Sequence, residues 1–331
     1  MRRYRTIQIC GDRGIAPGSS KGAAQHLRGI AVGLARRGHD VTSYTRRRPE
    51  GPFPVPARPL GALDRTTAAG ADVIYERYSL GHRDGLELAR AVGARFVLEV
   101  NAPLVDEAVA HRPQIVEPDH VETESSLLRE ADLVITVSTP LSRWVAERRE
   151  GPTVTVPNGF EPAWFAPPAR EAARPTLVFL GHPKPWHGAD RLVDLLLALD
   201  ALGHNPALLI VGGGPGADAV LANARTVGLG DQVTVTGALP PDQASARLTS
   251  ATIGLAPYPR QDPFYFCPLK VVDYLAAGLP VVSTSQGDIP DLVGDAGIVV
   301  DPVDDTALAR AVASLLEHPG RRADMAHAGR E

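Results

Sequence analysis

The sequence predicts an α/β protein made of two domains, each a doubly wound parallel sheet. Short runs of aliphatic and β-branched residues alternate with longer stretches of helical period along all 331 residues. Glycine-rich turns join several of these strands to the next helix. A stretch rich in proline and glycine and without any period, residues 157–168, divides the alternation into two series. Such alternation is typical of parallel sheets covered by helices on both faces.

The first series predicts six strands and four helices, and we assign residues 1–165 to this N-terminal domain. The polar ends of its buried strands are expected to face a cleft. The predicted strands are 6–10, 41–45, 73–75, 96–100, 133–137 and 153–156, and the predicted helices are 22–37, 84–92, 117–130 and 140–149.

The second series begins after residue 175 and again alternates strands with helices. We assign residues 166–331 to this C-terminal domain, and the length of the chain is enough for two domains of about 150–170 residues. The predicted strands are 177–180, 208–211, 233–236, 253–256, 281–284 and 298–300.

Composition excludes several classes of protein. A net charge of −4 and a pI near 6.2, without a long basic stripe, argue against a nucleic-acid partner. Two cysteines without metal-ligand spacing predict neither a disulfide framework nor a zinc site. No apolar stretch is long enough for a signal peptide or a membrane span, so we expect a cytoplasmic protein. The oligomeric state leaves no readable trace.

Lysine is rare, and the sequence predicts that every lysine lies at a junction between a strand and a helix. Of 34 basic residues only Lys21, Lys184 and Lys270 are lysines, and each lies in a loop between a strand and a helix. In a doubly wound sheet these loops lie at the carboxyl ends of the strands, where ligands bind. We interpret the three lysines as markers of one anion site.

The most informative stretch is residues 262–282, an aromatic loop followed by a helix start. Pro268 fits the first helical position, whose free amides can hold a phosphate. Lys270 adds a positive charge, and Asp273 lies one turn further on the same face, where it can bind ribose hydroxyls. An ordinary capped helix is the alternative. The expected donor-binding residues here are Tyr265, Phe266, Cys267, Pro268, Leu269 and Asp273.

Three further glycine loops are candidates for donor binding. The first contains Gly18, Lys21 and Gly22, and it lacks the G-x-G-x-x-G spacing of a nicotinamide site. The alternative is a mobile surface connection. The second opens the second series with Gly181, His182, Lys184 and His187, whose positive or polar groups suit an anion. The alternative is that these are turn residues and that Trp186 packs on the neighbouring helix. Gly213 and Ala238, in the third and in a neighbouring turn, can line a base pocket.

Polar residues also end two buried strands of the first series. Asn101 can contact the sugar or the acceptor, and Glu99 is either an acid or base or a structural acid. Glu76 and Arg77 have the same position and the same two interpretations. No Asp-x-Asp clamp follows a strand, so we expect no metal site, and no G-x-S-x-G elbow indicates hydrolysis.

Together these motifs resemble family 4 retaining glycosyltransferases of the GT-B superfamily (glycosyl transferases group 1). The resemblance runs from Lys21-Gly22-Ala23 to Pro268–Gly278 and passes through Val156–Gly159 and Val211–Pro215. It implies two Rossmann-like domains facing one cleft, a nucleotide-sugar donor on the second domain and an acceptor on the first. It also implies retention at the anomeric carbon without an obligatory metal or other cofactor.

The chain departs from the family pattern at several positions. The family's E-x7-E pair falls on Tyr265 and Asp273, and its loop arginine and lysine fall on His182 and His187. Lys184 is then expected to supply the permanent charge. The closing C-terminal helix of the family is expected to be lacking.

The resemblance implies a transferase that moves a sugar from a nucleotide-diphosphate donor, with a UDP-sugar expected, to a small hydroxylated acceptor. Natural-product biosynthesis of the aminoglycoside type and cell-envelope biosynthesis both fit. The expected catalytic residues are Lys184, Lys270, His187 and Asn101. Two alternatives stay open: an inactive nucleotide-sugar-binding partner subunit and a GT-B-type sugar-nucleotide epimerase. The epimerase needs paired acid and base carboxylates near the sugar.

Overall fold

The computed structural model describes residues 2–19, 21–165 and 174–331, and its chain divides into two compact units. The first unit runs to Gly159 and also contains Tyr265–Cys267. The second unit contains Phe160–Phe264 and Pro268–Glu331. The chain therefore passes from one unit to the other inside the proline-rich stretch that the sequence marks as a linker.

The first unit is built on a seven-stranded sheet in which every pair of neighbours is parallel. The strand order is β3-β2-β1-β4-β5-β6-β7. The strands are β1 Arg5–Cys10, β2 Asp40–Thr45, β3 Ala57–Pro59, β4 Val73–Arg77, β5 Arg95–Val100, β6 Leu133–Thr136 and β7 Thr153–Thr155. The helices are α1 Gly22–Arg36, α2 Arg65–Ala68, α3 Asp84–Val92, α4 Leu104–His111, α5 Pro118–Glu130 and α6 Thr139–Ala146.

The second unit repeats this order in six parallel strands, β10-β9-β8-β11-β12-β13. The strands are β8 Thr176–Leu180, β9 Ala207–Val211, β10 Val233–Val235, β11 Ile253–Ala256, β12 Val281–Thr284 and β13 Gly297–Val300. The helices are α7 Arg191–Ala201, α8 Pro215–Thr226, α9 Pro241–Leu248, α10 Leu269–Ala276, α11 Ile289–Val293, α12 Asp305–Glu317 and α13 Pro319–Ala328.

The predicted fold class of two Rossmann-like parallel sheets is confirmed. All twelve predicted strands are present within one or two residues. The sequence missed β3, a three-residue strand that contains a proline and pairs only with β2 at the sheet edge, where proline is tolerated. It also missed the short helices α2 and α4. Helix α6 ends at Ala146, three residues before the predicted end.

The strand order fixes where each unit can bind a ligand. In both sheets the order reverses beside the first strand, between β1 and β4 in the first unit and between β8 and β11 in the second. Loops leaving neighbouring strands at such a point run to opposite faces of the sheet and leave a crevice at the carboxyl ends. Candidate site residues are therefore those that follow these four strands.

Each unit has its own apolar core. Leucine and valine side chains of α7 and α12 pack on the strands of the second sheet, and those of α3, α5 and α6 pack on the first. These cores hold the strand ends rigidly, which is the condition for a preformed site. Within the described residues, no helix combines the length and the apolar character needed to cross a membrane.

Candidate functional site

The reversal point of the second unit is formed by the loop after β8, residues 181–188, and by Tyr258 after β11. Two glycines allow these loops to approach. A side chain at Gly188 would collide with the carbonyl of Pro257, and one at Gly212 would collide with the carbonyl of Gly181. Both glycines also have positive φ angles, +70° and +149°. The sequence thus brings three loop backbones into contact at the carboxyl ends of β8, β9 and β11.

Helix α10 is fixed beneath this point by Tyr274, which the sequence analysis did not single out. Its hydroxyl accepts a hydrogen bond from the Leu180 backbone N–H at 2.8 Å and lies 3.1 Å from the Leu255 carbonyl oxygen. The ring occupies space left by Gly254, where a side chain would collide with it. One side chain therefore ties α10 to the ends of β8 and β11.

Lys270, in the first turn of α10, is a buried basic residue with no carboxylate paired to it among the residues that the structure describes. Its side chain is only 8% exposed, and its Nζ lies 3.8 Å from the centre of the Phe179 ring and 5.1 Å from that of Tyr258. Within the described parts of the chain, Nζ has no hydrogen-bond partner. Burial lowers the pKa of Lys270 to about 7. An ammonium group in this position is stabilised when an anion binds beside it.

His187 lies close to this lysine and is neutral at pH 7. Burial, followed by the charges of Lys270 and Lys184, lowers its pKa to about 3. Its Nδ1 lies 3.3 Å from the Lys184 backbone N and 3.1 Å from the His182 carbonyl oxygen. When Nδ1 accepts from Lys184, the proton is on Nε2, and the ring can still donate a hydrogen bond. A bound anion would raise this pKa and favour the protonated ring.

The remaining loop residues are arranged around the same strand ends. His182 Nδ1 accepts a hydrogen bond from the Gly213 backbone N–H at 3.2 Å, and Gly213 packs against the backbone of Gly237 and Ala238. His182 and Lys184 are exposed, and so is Trp186 at 46%. The Trp186 ring is thus about half exposed and lies edge-on to the His187 ring, with 5.9 Å between the ring centres.

Asp273 and Pro268 complete the description of α10. Burial raises the pKa of Asp273 to about 7, so this carboxyl group exchanges its proton near neutrality. Pro268 is the N-cap and Leu269 the first helical residue, one position later than predicted. The prediction that Pro268 occupies the first helical position was therefore wrong. The extended backbone that proline favours suits the cap equally well.

Tyr265, Phe266 and Cys267 cluster with the first unit and not with Lys270 and Asp273. The Tyr265 hydroxyl donates to Glu107 of α4, and Ser138 Oγ donates to the Tyr265 carbonyl oxygen at 2.6 Å. Asn158 Nδ2 donates to the Cys267 carbonyl oxygen at 2.7 Å. Burial raises the pKa of Glu107. The residue that replaces the family's first glutamate is thus hydrogen-bonded to a carboxylate.

In the first unit, the reversal point holds a buried polar group that we call the Glu99 cluster: His26, Tyr75, Arg77, Glu99 and Asn101. Glu99 is 1% exposed; His26 of α1 is hydrogen-bonded to its Oε1, and Arg77 Nη1 lies 4.0 Å from Oε2. Arg77 also donates to Asn101 Oδ1. Burial alone would raise the pKa of Glu99, but the His26 and Arg77 side chains outweigh it and lower this pKa.

Glu76 is placed differently from its neighbour Arg77. It is fully buried, accepts a hydrogen bond from His82 Nδ1 at 2.7 Å and accepts another from the Gly85 backbone N–H at the start of α3. Burial raises its pKa. These contacts are those of a structural acid that caps α3, one of the two interpretations that the sequence left open.

The glycine-rich loop after β1 makes contacts within itself and with the backbone near Gly51. Lys21 is exposed and donates to the Gly14 carbonyl oxygen at 3.2 Å, and Gly22 begins α1. Gly18 has a φ of +79° and packs directly against the backbone of Gly51, so a side chain there would collide.

One group of side chains in the described residues has the proximity needed for a metal ion. It consists of Glu117, Asp119 and His120 at the start of α5, and its carboxylates are exposed. Exposed acidic groups at a helix start are common without a metal. It is also outside the two reversal points, and the sequence analysis predicted no metal site.

His26 and Tyr274 are among the residues of these sites that were not predicted from the sequence. A periodic signal for each exists, because both lie on the sheet-facing side of their helices. Period alone predicts only burial. It does not show that His26 meets a carboxylate or that the Tyr274 hydroxyl meets the ends of two strands.

Comparison with solved structures identifies the class of fold. Sucrose-phosphate synthase from Thermosynechococcus elongatus aligns with a TM-score of 0.73 and 23% identity, over 99% of this chain and 93% of that one. This likeness shows the GT-B fold, with its two parallel-sheet α/β domains, that the resemblance implied.

A family model matches the sequence over most of the second unit. Residues 174–318, which contain the buried lysine and the loops around it, match the family model Glycosyl transferases group 1. The predicted resemblance is therefore confirmed over this part of the chain.

Curated relatives agree with this family. A GDP-mannose-dependent alpha-(1-6)-phosphatidylinositol monomannoside mannosyltransferase of Mycobacterium tuberculosis is 34% identical over 167 residues, 49% of this chain and 43% of that protein. A D-inositol 3-phosphate glycosyltransferase of Segniliparus rotundus is 30% identical over 195 residues, 53% of this chain and 42% of that protein. The matched stretch thus spans less than half the length of these relatives.

Proposed function

We propose that the protein is a glycosyltransferase that moves a sugar from a nucleoside-diphosphate donor to a hydroxyl group. The observation that carries the proposal is the buried, unpaired ammonium group of Lys270 at the reversal point of the second unit. A diphosphate bound there would supply the missing negative charge. The neighbouring backbone amides of α10 and the neutral N–H of His187 would add hydrogen bonds.

The donor is proposed to be a UDP-sugar or a GDP-sugar. The resemblance favours UDP, whereas the mycobacterial relative is named for its dependence on GDP-mannose. The base would lie where the backbones of Gly213 and Ala238 meet, since backbone groups can hydrogen-bond to either base. Asp273 would accept hydrogen bonds from the ribose hydroxyls.

The acceptor is proposed to be a small hydroxylated molecule bound by the Glu99 cluster. The names of both relatives contain inositol, so inositol and its phosphates are the first compounds to test. Cell-envelope and natural-product biosynthesis are the two settings in which such a transfer would serve. Of the cluster, Asn101 and Arg77 are partly exposed and are the members placed to contact an acceptor.

The reaction is proposed to retain the anomeric configuration and to need no metal. The acceptor oxygen forms a bond to the anomeric carbon while the bond from that carbon to the phosphate oxygen breaks. The electron pair passes to the departing phosphate oxygen, which takes the acceptor's proton. Lys184, Lys270 and His187 would stabilise the negative charge that develops on the diphosphate.

Calorimetric titration tests the proposal directly. UDP, GDP and dTDP are titrated with EDTA present, with NAD as the control. Binding of one nucleoside diphosphate, and not of NAD, is expected. At a ligand concentration of about 100 times the dissociation constant, the free energy of unfolding should rise by about 2.7 kcal/mol. Absence of binding by all three diphosphates would overturn the proposal.

Substitution of Lys270 then tests the site. Lys270→Met keeps the length and packing of the side chain and removes the charge. Turnover of the donor is expected to fall by about 10²–10³-fold if this charge stabilises the leaving diphosphate. Arg310→Met, on the exposed face of α12, is the matched control and should leave turnover unchanged. Equal turnover in the two variants would exclude the role given to Lys270.

An inactive binding subunit is the second candidate, and Tyr265 is the observation that favours it. Its hydroxyl is bonded to Glu107 in the first unit, and by the resemblance Tyr265 stands at the position of the family's first glutamate. Such a subunit would bind the diphosphate but release no sugar. Measuring hydrolysis of UDP-glucose and GDP-mannose over many hours, beside the titration, separates the two candidates.

A further inference from the structure

The Glu99 cluster contains a chain of contacts that begins at a residue outside the sheet. His26 is on α1, in the second turn after the glycine-rich loop, and its side chain is 9% exposed. It is bonded to Glu99 Oε1; Glu99 Oε2 faces Arg77, and Arg77 donates to Asn101. Contacts thus run from a helix, through a buried carboxylate, to two partly exposed side chains.

Glu99 itself is poorly placed to touch a substrate. It is 1% exposed, and its neighbours lower its pKa, so it stays ionised and enclosed. A buried carboxylate of this kind acts through the groups that it orients. The groups it orients here are the Arg77 guanidinium and, through it, the Asn101 amide.

The hydrogen bonding of the cluster is incomplete. Glu99 Oε2, Asn101 Nδ2 and the Tyr75 hydroxyl are buried close together, and both the Tyr75 and the Asn101 side chains interact with Glu99. These mutual contacts fall short of full hydrogen-bond geometry, so the cluster keeps hydrogen-bonding capacity that a further polar group can use. A hydroxyl group both donates and accepts, and it is complementary to a carboxylate and an amide together.

We propose that His26 is a positioning residue for the acceptor hydroxyl. It holds Glu99 turned toward Arg77, and this fixes the direction in which Arg77 and Asn101 present their N–H groups. The inference rests on the proposed glycosyltransferase function and adds a residue that touches neither donor nor acceptor. Without His26, the Glu99 carboxylate rotates and the Arg77 guanidinium moves with it. Asn101 then loses its hydrogen bond from Arg77.

Three variants and a control test this assignment. His26→Leu removes the hydrogen bond, and His26→Asn keeps polarity but is too short to reach Glu99. His26→Gln restores an amide N–H close to the position of Nε2. His39→Leu removes a histidine from the same unit whose Nδ1 accepts from the Tyr4 backbone N–H, away from the cluster.

The readouts are kcat and KM for hydrolysis of UDP-glucose and GDP-mannose, transfer to inositol 3-phosphate, and the dissociation constants of UDP and GDP. His26→Leu and His26→Asn should lower kcat for transfer to inositol 3-phosphate by about 10²-fold. This is the cost of misplacing the reacting groups by about an ångström. KM for the donor and diphosphate binding should not change. His26→Gln should recover most of kcat, and His39→Leu should match the unaltered protein.

A kcat within twofold of the unaltered protein for both His26→Leu and His26→Asn would overturn the inference, as would an equal loss in His26→Gln. Crystal structures of the variants give an independent answer, because the contact between Arg77 and Asn101 should be lost in His26→Asn and kept in His26→Gln. If it persists in His26→Asn, His26 does not position the cluster. If the unaltered protein neither binds nor hydrolyses a nucleotide sugar, the proposed function fails, and this structural result alone decides the positioning role.

Discussion

The two units share one strand order but treat charge at their reversal points in opposite ways. In the first unit, Glu99 lies between His26 and Arg77, so its charge is balanced within the protein. In the second unit, Lys270 is buried against the rings of Phe179 and Tyr258 without a carboxylate in hydrogen-bond reach, as far as the described residues show.

This difference separates two kinds of binding site. A balanced buried cluster offers fixed hydrogen bonds and suits an uncharged hydroxyl group. An unbalanced buried cation destabilises the empty protein and is stabilised when an anion binds. The same fold therefore supports two complementary halves of one proposed reaction, and four substitutions or measurements can break or sharpen the comparison.

The largest expected effect is that of removing the balanced carboxylate. Glu99→Ala leaves the Arg77 charge buried without its partner, and such changes cost about 3–5 kcal/mol in the free energy of unfolding. Urea unfolding measures the loss. Glu87→Ala, on the exposed side of α3 in the same unit, should change this free energy by less than about 1 kcal/mol. A loss under 1 kcal/mol for Glu99→Ala would show that the cluster is not an electrostatic unit.

Removing the unbalanced cation should have the opposite sign. Lys270→Met relieves the cost of a buried charge, so the free energy of unfolding without ligand should rise by about 1–4 kcal/mol at pH 7. Thermal unfolding without and with UDP or GDP measures both consequences, since the diphosphate should no longer raise the melting temperature. A destabilised Lys270→Met variant would mean that the ammonium is paired in solution.

The pH dependence of stability should reflect the lowered pKa of Lys270, about 7 in the folded protein against an ordinary 10.5. Between these values the unfolded chain binds more protons, so stability rises with pH above 7, by up to about 1.4 kcal/mol per unit. Asp273, whose pKa is raised to about 7, acts at lower pH. Its contribution to the free energy of unfolding falls as the pH rises from about 4 to 7.

These two residues should therefore give a minimum in stability near pH 7. Urea unfolding at half-unit intervals from pH 5 to 9 measures it. Lys270→Met should flatten the limb above pH 7, and Asp273→Asn the limb below it. Identical pH profiles for the variants and the unaltered protein would contradict the assignment of these pKa values.

The smallest expected effect concerns an exposed lysine. Lys21 makes one hydrogen bond, to the Gly14 carbonyl oxygen, with its ammonium in contact with solvent. Lys21→Met should change the free energy of unfolding by less than about 1 kcal/mol, the ordinary net value of one such bond. A loss as large as that of Glu99→Ala would place Lys21 in a buried network and remove the contrast between the lysines.

Much of the fold was predictable because its signals are local. Strand length, β-branched composition and glycine turns are properties of neighbouring residues, and they located twelve strands. The elements that were missed are those whose signal is weak, such as β3, with three residues and a proline. Its pairing with β2 depends on an edge that only the assembled sheet provides.

The candidate site was predictable in part for the same reason. Lys270 stood out because lysine is rare in this chain and because a helix start follows a loop. Tyr265 was grouped with Lys270 by its nearness in sequence, yet the structure bonds it to Ser138 and Glu107 of the first unit. Sequence nearness says little about a loop between two units, since its side chains can pack on either one.

The sequence by itself determined two parallel-sheet domains, the loops that carry ligands, and the unusual lysines within them. These follow from period, composition and turn chemistry, which act over a few residues. Only the tertiary structure decided that Glu99 meets Arg77 and His26, and that Lys270 has no hydrogen-bond partner among the described residues. Charge balance in a buried site depends on which distant side chains share a few ångströms of low-polarity space, and no local pattern records that.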